Sequence, residues 1–279
     1  MGRLLASCAF LLVLVTGCTR STPQQLAHSR ASLIMEQSAV TPGSKVNVGI
    51  QIVTDSGWHI YWQNPGDSGE PPRIQWQLPV GVTAGDLEWP RPMRLTTTAG
   101  TDFGYEGTTV LITSLQVPTT MQPGTITVGG DLRWLVCHDI CLPQNTHLAA
   151  PLRISSATRI YDSAHQSLQS AAQRLPIPLP ASYRPEAASS RDGFQLTLAS
   201  REPITQAEFF PNEEAQIDNG APQGLVSHAG GVSLTLRKSE YLRQEPERLK
   251  GVLVLNGRDA YFLDAPIHSL ATHEGSRQK

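Results

Sequence analysis

Beyond residue 15 the chain of 279 residues contains no apolar run near the ~20 residues that a membrane-crossing helix needs, which excludes a helical span within its body. It also lacks an excess of either charge. The 22 lysines and arginines stand against 24 aspartates and glutamates, a formal net charge of −2, and this gives no electrostatic case for nucleic acid or an anionic membrane surface as partner. Cysteine is scarce, with four in all, and no Cys-x-x-Cys is present, which removes a thioredoxin-type active site. Repeats of short period and low-complexity runs are missing too. What remains is a globular composition rich in glycine and proline.

The first residues, MGRLLASCAFLLVLVTGCTR, join one early cation, Arg3, to an apolar run from Leu4 to Val15 and then to small residues. That is the build of an export signal, here expected over residues 1–17. The end of the run, VTGC, resembles the bacterial lipoprotein signal, in which Cys18 becomes the lipidated N-terminus; the alternative is an ordinary secretory signal with an incidental cysteine. Several acyl chains, at about 0.8 kcal/mol per buried CH₂, would hold the protein to a membrane. Thr19 does not resemble the acidic residue that keeps some such lipoproteins at the inner membrane, which points to the outer one. With Cys8 lost in the signal and Cys18 taken by lipid, the mature chain keeps only Cys137 and Cys141, in an oxidising compartment.

A polar tether over 18–30 leads into short runs of β character separated by Gly, Pro, Asn and Asp. In KVNVGIQIV, Val46, Val48, Ile50 and Ile52 alternate with polar or small residues, as one face of a half-buried strand does. Many such runs predict an all-β chain built as an antiparallel sandwich over 31–155. Around SSATRIYDSAHQSLQSAAQRLP the period changes, with Ile160, Ala164, Leu168, Ala171 and Leu175 at helical spacing before Pro176. A linker helix and Pro-rich segment are thus expected over 156–190, a second, smaller β-sandwich over 191–270 and a frayed tail over 271–279. Glu213, Glu214 and Asp218 in that second part read as a solvated face.

Cys137 and Cys141 lie in RWLVCHDICLPQ, where RWLVC enters as a strand, HDI turns, and Cys141 begins the return. Three roles are open to them. As a structural staple the pair closes too short a loop to matter much, on the order of 2 kcal/mol against almost 5 for a long loop. As a metal clip, its two thiolates could hold Cu(I) with an imidazole from His59, His138 or His147; zinc usually draws four ligands at shorter spacing. As a working redox pair, a tight and strained ring would be readily reduced. Asp139 raises and a protonated His138 lowers the pKa of a neighbouring thiol, so the balance of the two is not fixed by sequence.

GWHIYWQNPGDSGEPPRIQWQLPVGV, LEWPRP, DFGYEG and WLVCHDICLP, in that order, resemble the periplasmic N-terminal domain of the thiol:disulfide interchange protein DsbD family, in the branch linked to suppression of copper sensitivity. The similarity runs over about residues 32–154, and a fainter one, in AEFFP, APQG and LKGVLVL, extends to the second β-domain of those relatives. It implies an immunoglobulin-like sandwich whose Cys137 and Cys141 pass electrons between proteins through a mixed disulfide, a chemistry of two sulfurs that calls for no cofactor. It also implies a cap loop over the disulfide, for which TDFGYEG corresponds, with Asp102, Phe103 and Tyr105 above the sulfurs and Phe103 as shield; plain hydrophobic packing is the alternative for the two aromatics. In GWHIYW, His59 and Tyr61 share one side of a strand and Trp58, Ile60 and Trp62 the other; His59 and Tyr61, with His138, are expected to line the site. The five tryptophans, Trp58, Trp62, Trp76, Trp89 and Trp134, are assigned to the core.

The family's full-length members add a multi-span membrane domain and a thioredoxin-like domain. Neither is recognisable in these residues, so the expected partners are thioredoxin-like periplasmic proteins and a membrane-embedded electron carrier on a separate chain, in settings such as cytochrome c biogenesis or copper tolerance. The Cys-x-x-x-Cys spacing matches the copper-related branch. A non-catalytic copper(I)-binding lipoprotein using the same two thiolates is the rival reading.

Overall fold

The structure, a computed structural model, describes residues 27–269; the expected signal, Cys18, nearly all of the tether and the 271–279 tail lie outside the described residues. Among the described residues the first strand starts at Ser29, whose hydroxyl accepts a 2.9 Å bond from the Trp134 indole.

Two sheets form the first body. One runs in the order Ser29–Met35, Lys45–Thr54, Thr108–Gln116, Thr83–Ala84. The other runs Arg159–Ile160, Gln37–Val40, Cys141–Ile154, Gly124–Cys137, His59–Gly66, Gly100–Glu106, Met93–Thr97, with Arg73–Gln77 also paired to Gly124–Cys137. The alternation of Lys45–Thr54 holds: Val46, Val48, Ile50 and Ile52 are all fully buried. Ile50, Ile52 and Leu111 meet Ile60, Trp62, Leu132, Trp134 and Val136 of the facing sheet. Each such side chain contributes about 1.5–3 kcal/mol when fully buried, and this face-to-face layer makes the sandwich.

The helix spans Asp162–Ala172 and buries Leu168 and Ala171 against Val110 and Ile112. It fits because Gly49 lacks a side chain; a β-carbon there would stand 2.7 Å from Leu168 Cδ2. Leu175 packs at the same contact, while Ile160 lies in the short strand before the helix and is half exposed.

The third sheet runs Ala207–Pro211, Arg248–Leu255, Asp259–Ser269, Pro185–Ser189, Gly193–Ala199, Gly231–Arg237, Gly224–His228. Pro185–Ser189 comes from the stretch read as linker. It is poor in β-formers, yet it pairs with strands on both sides and buries Ala187, so tertiary context overrides propensity here. Phe194, Leu196, Leu198, Phe209, Leu234, Leu253 and Leu263 form this body's core.

The two bodies share a hydrophobic seam. Phe210, Val252, Val254 and Ala260 of the second pack into the cluster that holds Trp62 and Phe103 of the first. Among the described residues no helix is long and apolar enough to cross a membrane.

Candidate functional site

The long hairpin of Gly124–Cys137 and Cys141–Ile154 stays in register from Gly124↔Ile154 to Cys137↔Cys141, so its last pair is the two cysteines. Directly opposed residues in an antiparallel pair bring their Cβ atoms close, and the sulfurs here are joined at 2.09 Å. His138, Asp139 and Ile140 make the turn, closed by a 3.1 Å bond from the His138 amide to the Ile140 carbonyl. The two sulfurs differ in access: Cys137 is only 1% exposed, whereas Cys141 is open to solvent beside a 62% exposed Ile140.

On the far side of Cys137 stands His59, its register partner on the next strand. Alternation along His59–Gly66 turns Ile60 and Trp62 into the core and keeps His59 and Tyr61 on the disulfide face. The Tyr61 hydroxyl reaches within 3.6 Å of Cys141 Sγ, and the His59 and Tyr61 rings meet edge to face at 5.2 Å. One strand further, Asp102 Oδ2 lies 3.8 Å from His59 Nε2; the Ser68 amide donates to Asp102 Oδ1 and the Ser68 hydroxyl lies 3.0 Å from both carboxylate oxygens.

Burial dominates the electrostatics of this face. It pushes the His59 imidazole below its ordinary pKa and the Asp102 carboxyl and Tyr61 phenol above theirs. The distance between His59 and Asp102 would allow an ion pair, yet each moves toward its neutral form. Desolvation outweighs their mutual attraction, and His59 Nε2 has no hydrogen-bond partner.

The expected cap residues are split by the strand. Asp102 faces the disulfide, but Phe103 and Tyr105 are on the opposite face. Phe103 is fully buried, with its ring 5.2 Å from Phe210 and 6.5 Å from Trp62, and Tyr105 donates a 2.7 Å bond to the Pro90 carbonyl. Phe103 is therefore core and shields nothing. What lies on Tyr61 is Gly69, at φ +84°, so close that a β-carbon would stand 2.1 Å from the phenol Cζ. This loop lies in NPGDSGEPP, where no hydrophobic period or paired residue nearby shows where it folds.

Of the imidazoles considered for copper, only His59 borders the pair in the sheet. His138 sits at the turn with Nδ1 2.9 Å from Asp139, and His147 is bonded at 2.8 Å to Asp131, six register positions down the hairpin. Among the described residues no group of three or more His, Cys, Asp and Glu is placed to hold a metal ion. Trp62 and Trp134 are core, and Trp58, Trp76 and Trp89 pack partly buried against it; Trp58 also stacks at 3.9 Å on His28.

Residues 30–153 match the family described as "Thiol:disulfide interchange protein DsbD, N-terminal". The N-terminal periplasmic domain of ScsB from Proteus mirabilis is 16% identical, with 88% of this chain and 96% of that one covered at a TM-score of 0.68, a likeness of fold that takes in both β-bodies. A family 123 glycoside hydrolase from Clostridium perfringens is far less similar, at 12% identity over 50% of this chain and 29% of that one and a TM-score of 0.23. So is a protein from Porphyromonas gingivalis W83, at 11% over 87% and 99% and 0.26. No curated protein matches the sequence.

Proposed function

Since residues 30–153 belong to the DsbD N-terminal domain family, we propose that the chain is a periplasmic thiol-disulfide relay working through Cys137 and Cys141. The observation that carries this reading is the unequal pair, an exposed cysteine bonded to a buried one at the tip of the long hairpin. A partner's thiolate can approach only Cys141. As the new sulfur–sulfur bond to Cys141 forms, the Cys137–Cys141 bond breaks and its electron pair stays on Cys137, which then takes a proton. A second partner thiol attacks the mixed disulfide at the partner's own sulfur, which leaves both cysteines here reduced and the partner oxidised. In the opposite direction Cys141 attacks a partner's disulfide and Cys137 resolves the intermediate.

The partners fitting this chemistry are thioredoxin-like proteins, with a membrane-embedded carrier on another chain supplying electrons. Lipidation at Cys18 would confine the exchange to a membrane face. The two β-bodies are read as a redox domain over about 31–155 and a second domain that holds or presents it, with the helix between them.

The test uses Cys137→Ala and Cys141→Ala variants, reduced and mixed with an oxidised thioredoxin-like protein. Cys137→Ala should accumulate a mixed disulfide through Cys141, seen by mass, and Cys141→Ala should accumulate none. A Cys137→Ala protein that captures no partner would end the relay reading.

A further inference from the structure

Alternation along Gly124–Cys137 sends Leu132, Trp134 and Val136 into the core, so Asp131, Arg133 and Leu135 share the other side of the strand with Cys137. Their register partners on the returning strand are His147, Asn145 and Pro143, in line with Cys141. The short strand Arg73–Gln77 pairs along the same stretch and sets Arg73 directly opposite Arg133. Arg73, Arg133, Leu135, Pro143 and Asn145, with Glu70 on the rim, line a cleft of about 790 Å³ that follows the outer face of the hairpin below the disulfide.

The two arginines are exposed, and among the described residues neither forms an ion pair, with Glu70 or with any other acid. Asp131, two positions along, has its carboxylate taken by His147 Nδ1 at 2.8 Å and by Gln77 Nε2 at 2.6 Å. Like charges directly opposed on antiparallel strands repel, and a carboxylate brought from outside relieves that repulsion. A guanidinium receives such a carboxylate through two parallel hydrogen bonds. Arg133 stands four residues from Cys137, a distance of about 13 Å along a strand, and Leu135 and Pro143 fill the interval with apolar surface.

From this arrangement we propose that the cleft is the docking track of the redox partner, and that Arg73 and Arg133 select partners bearing acidic side chains about 13 Å from the reactive cysteine. The proposal rests on the thiol-exchange reading and adds the partner's chemistry to it. Cys141 fixes one point of the complex through the mixed disulfide, and the arginine pair fixes a second. The arginines touch no reacting atom; they act on which protein arrives and how fast, as opposite charges across an interface do.

The experiment uses the reduced full chain with Cys8→Ser and Cys18→Ser, so that Cys137 and Cys141 are the only thiols. Two synthetic peptides each carry one cysteine as a mixed disulfide with thionitrobenzoate, flanked on both sides, a few residues away, by glutamates in one and by lysines in the other. Attack by the Cys141 thiolate forms a bond to the peptide sulfur and expels thionitrobenzoate with the electron pair of the broken bond, and its absorbance gives the rate. The ratio of glutamate-peptide to lysine-peptide rates should be about threefold to tenfold higher in the parent than in Arg73→Glu with Arg133→Glu, a comparison in which the intrinsic reactivity of each peptide cancels. At about 1 M salt, where screening acts within ~3 Å, that difference should close. Arg73→Gln with Arg133→Gln serves if the reversed pair does not fold, with a smaller change of the same sign. Equal ratios in parent and folded variants would overturn the proposal. So would a ratio that millimolar phosphate lowers to the variant's value at constant ionic strength, which makes the pair a small-anion site, or binding to phosphatidylglycerol vesicles that only the parent shows, which assigns it to a membrane. A reduced parent that releases no thionitrobenzoate from either peptide would instead remove the exchange reading itself.

Discussion

Cys137 is shut in between the strand of His59 and its own hairpin, while Cys141, bonded to it, faces solvent. Thiol reactions proceed only where a reagent can reach a thiolate, so the two sulfurs should separate kinetically once reduced. We expect iodoacetamide to modify Cys141 about tenfold faster than Cys137, as mapped by peptide mass after a timed quench. Equal labelling would mean that the turn opens on reduction and that the asymmetry belongs to the oxidised state alone.

Phe103 offers a cleaner separation of packing from chemistry. It fills the seam with Trp62 and Phe210, under the Arg94 guanidinium 5.6 Å from its ring. Phe103→Ala should cost about 3–5 kcal/mol in urea unfolding, and Phe103→Leu much less. The rate of disulfide reduction in folded Phe103→Leu should match that of the parent; a shield over the sulfurs would give a small stability loss and a large rate gain.

The helix carries a pH-sensitive fastening. Glu36 is buried beneath it, and burial alone would push its carboxyl up. Bonds from His165 at 2.7 Å, Asn47 at 2.8 Å and Gln37 at 2.8 Å more than offset this and leave the pKa below its ordinary 4.5. A carboxyl lowered in the folded state stabilises the fold fully above its unfolded pKa and loses that contribution as pH falls through the folded value. Stability measured by urea should therefore drop on acidification below pH 4.5, and Glu36→Gln should be weaker at neutral pH by about 1–3 kcal/mol with a flatter acid limb. An unchanged acid limb in Glu36→Gln would assign the loss to other carboxyls.

The hairpin, the facing cysteines, the inward set of Lys45–Thr54 and the helix were legible because each depends on period or on turn chemistry within a few residues. The placement of His59 and Tyr61 opposite Ile60 and Trp62 followed from the same rule. That rule, applied to TDFGYE, also separates Asp102 from Phe103 and Tyr105, and the family resemblance that put all three over the disulfide passed over it. The role of NPGDSGEPP was out of reach for a different reason. Asn64, Asp67 and Asn219 are polar residues with no pattern among neighbours, and their meaning comes from partners some 150 positions away in the chain. Pro185–Ser189 likewise becomes a strand only because two other strands wait on either side.

Of the fourteen cross-strand positions between Gly124–Cys137 and Cys141–Ile154, the disulfide joins only the outermost. Thirteen remain when it opens, and the three-residue loop it encloses returns little entropy to the unfolded chain. For a relay of the kind proposed, gaining or losing two electrons would then touch only the tip of the hairpin, so that cycling would not require the chain to pass through a loosened form that proteases or aggregation could exploit.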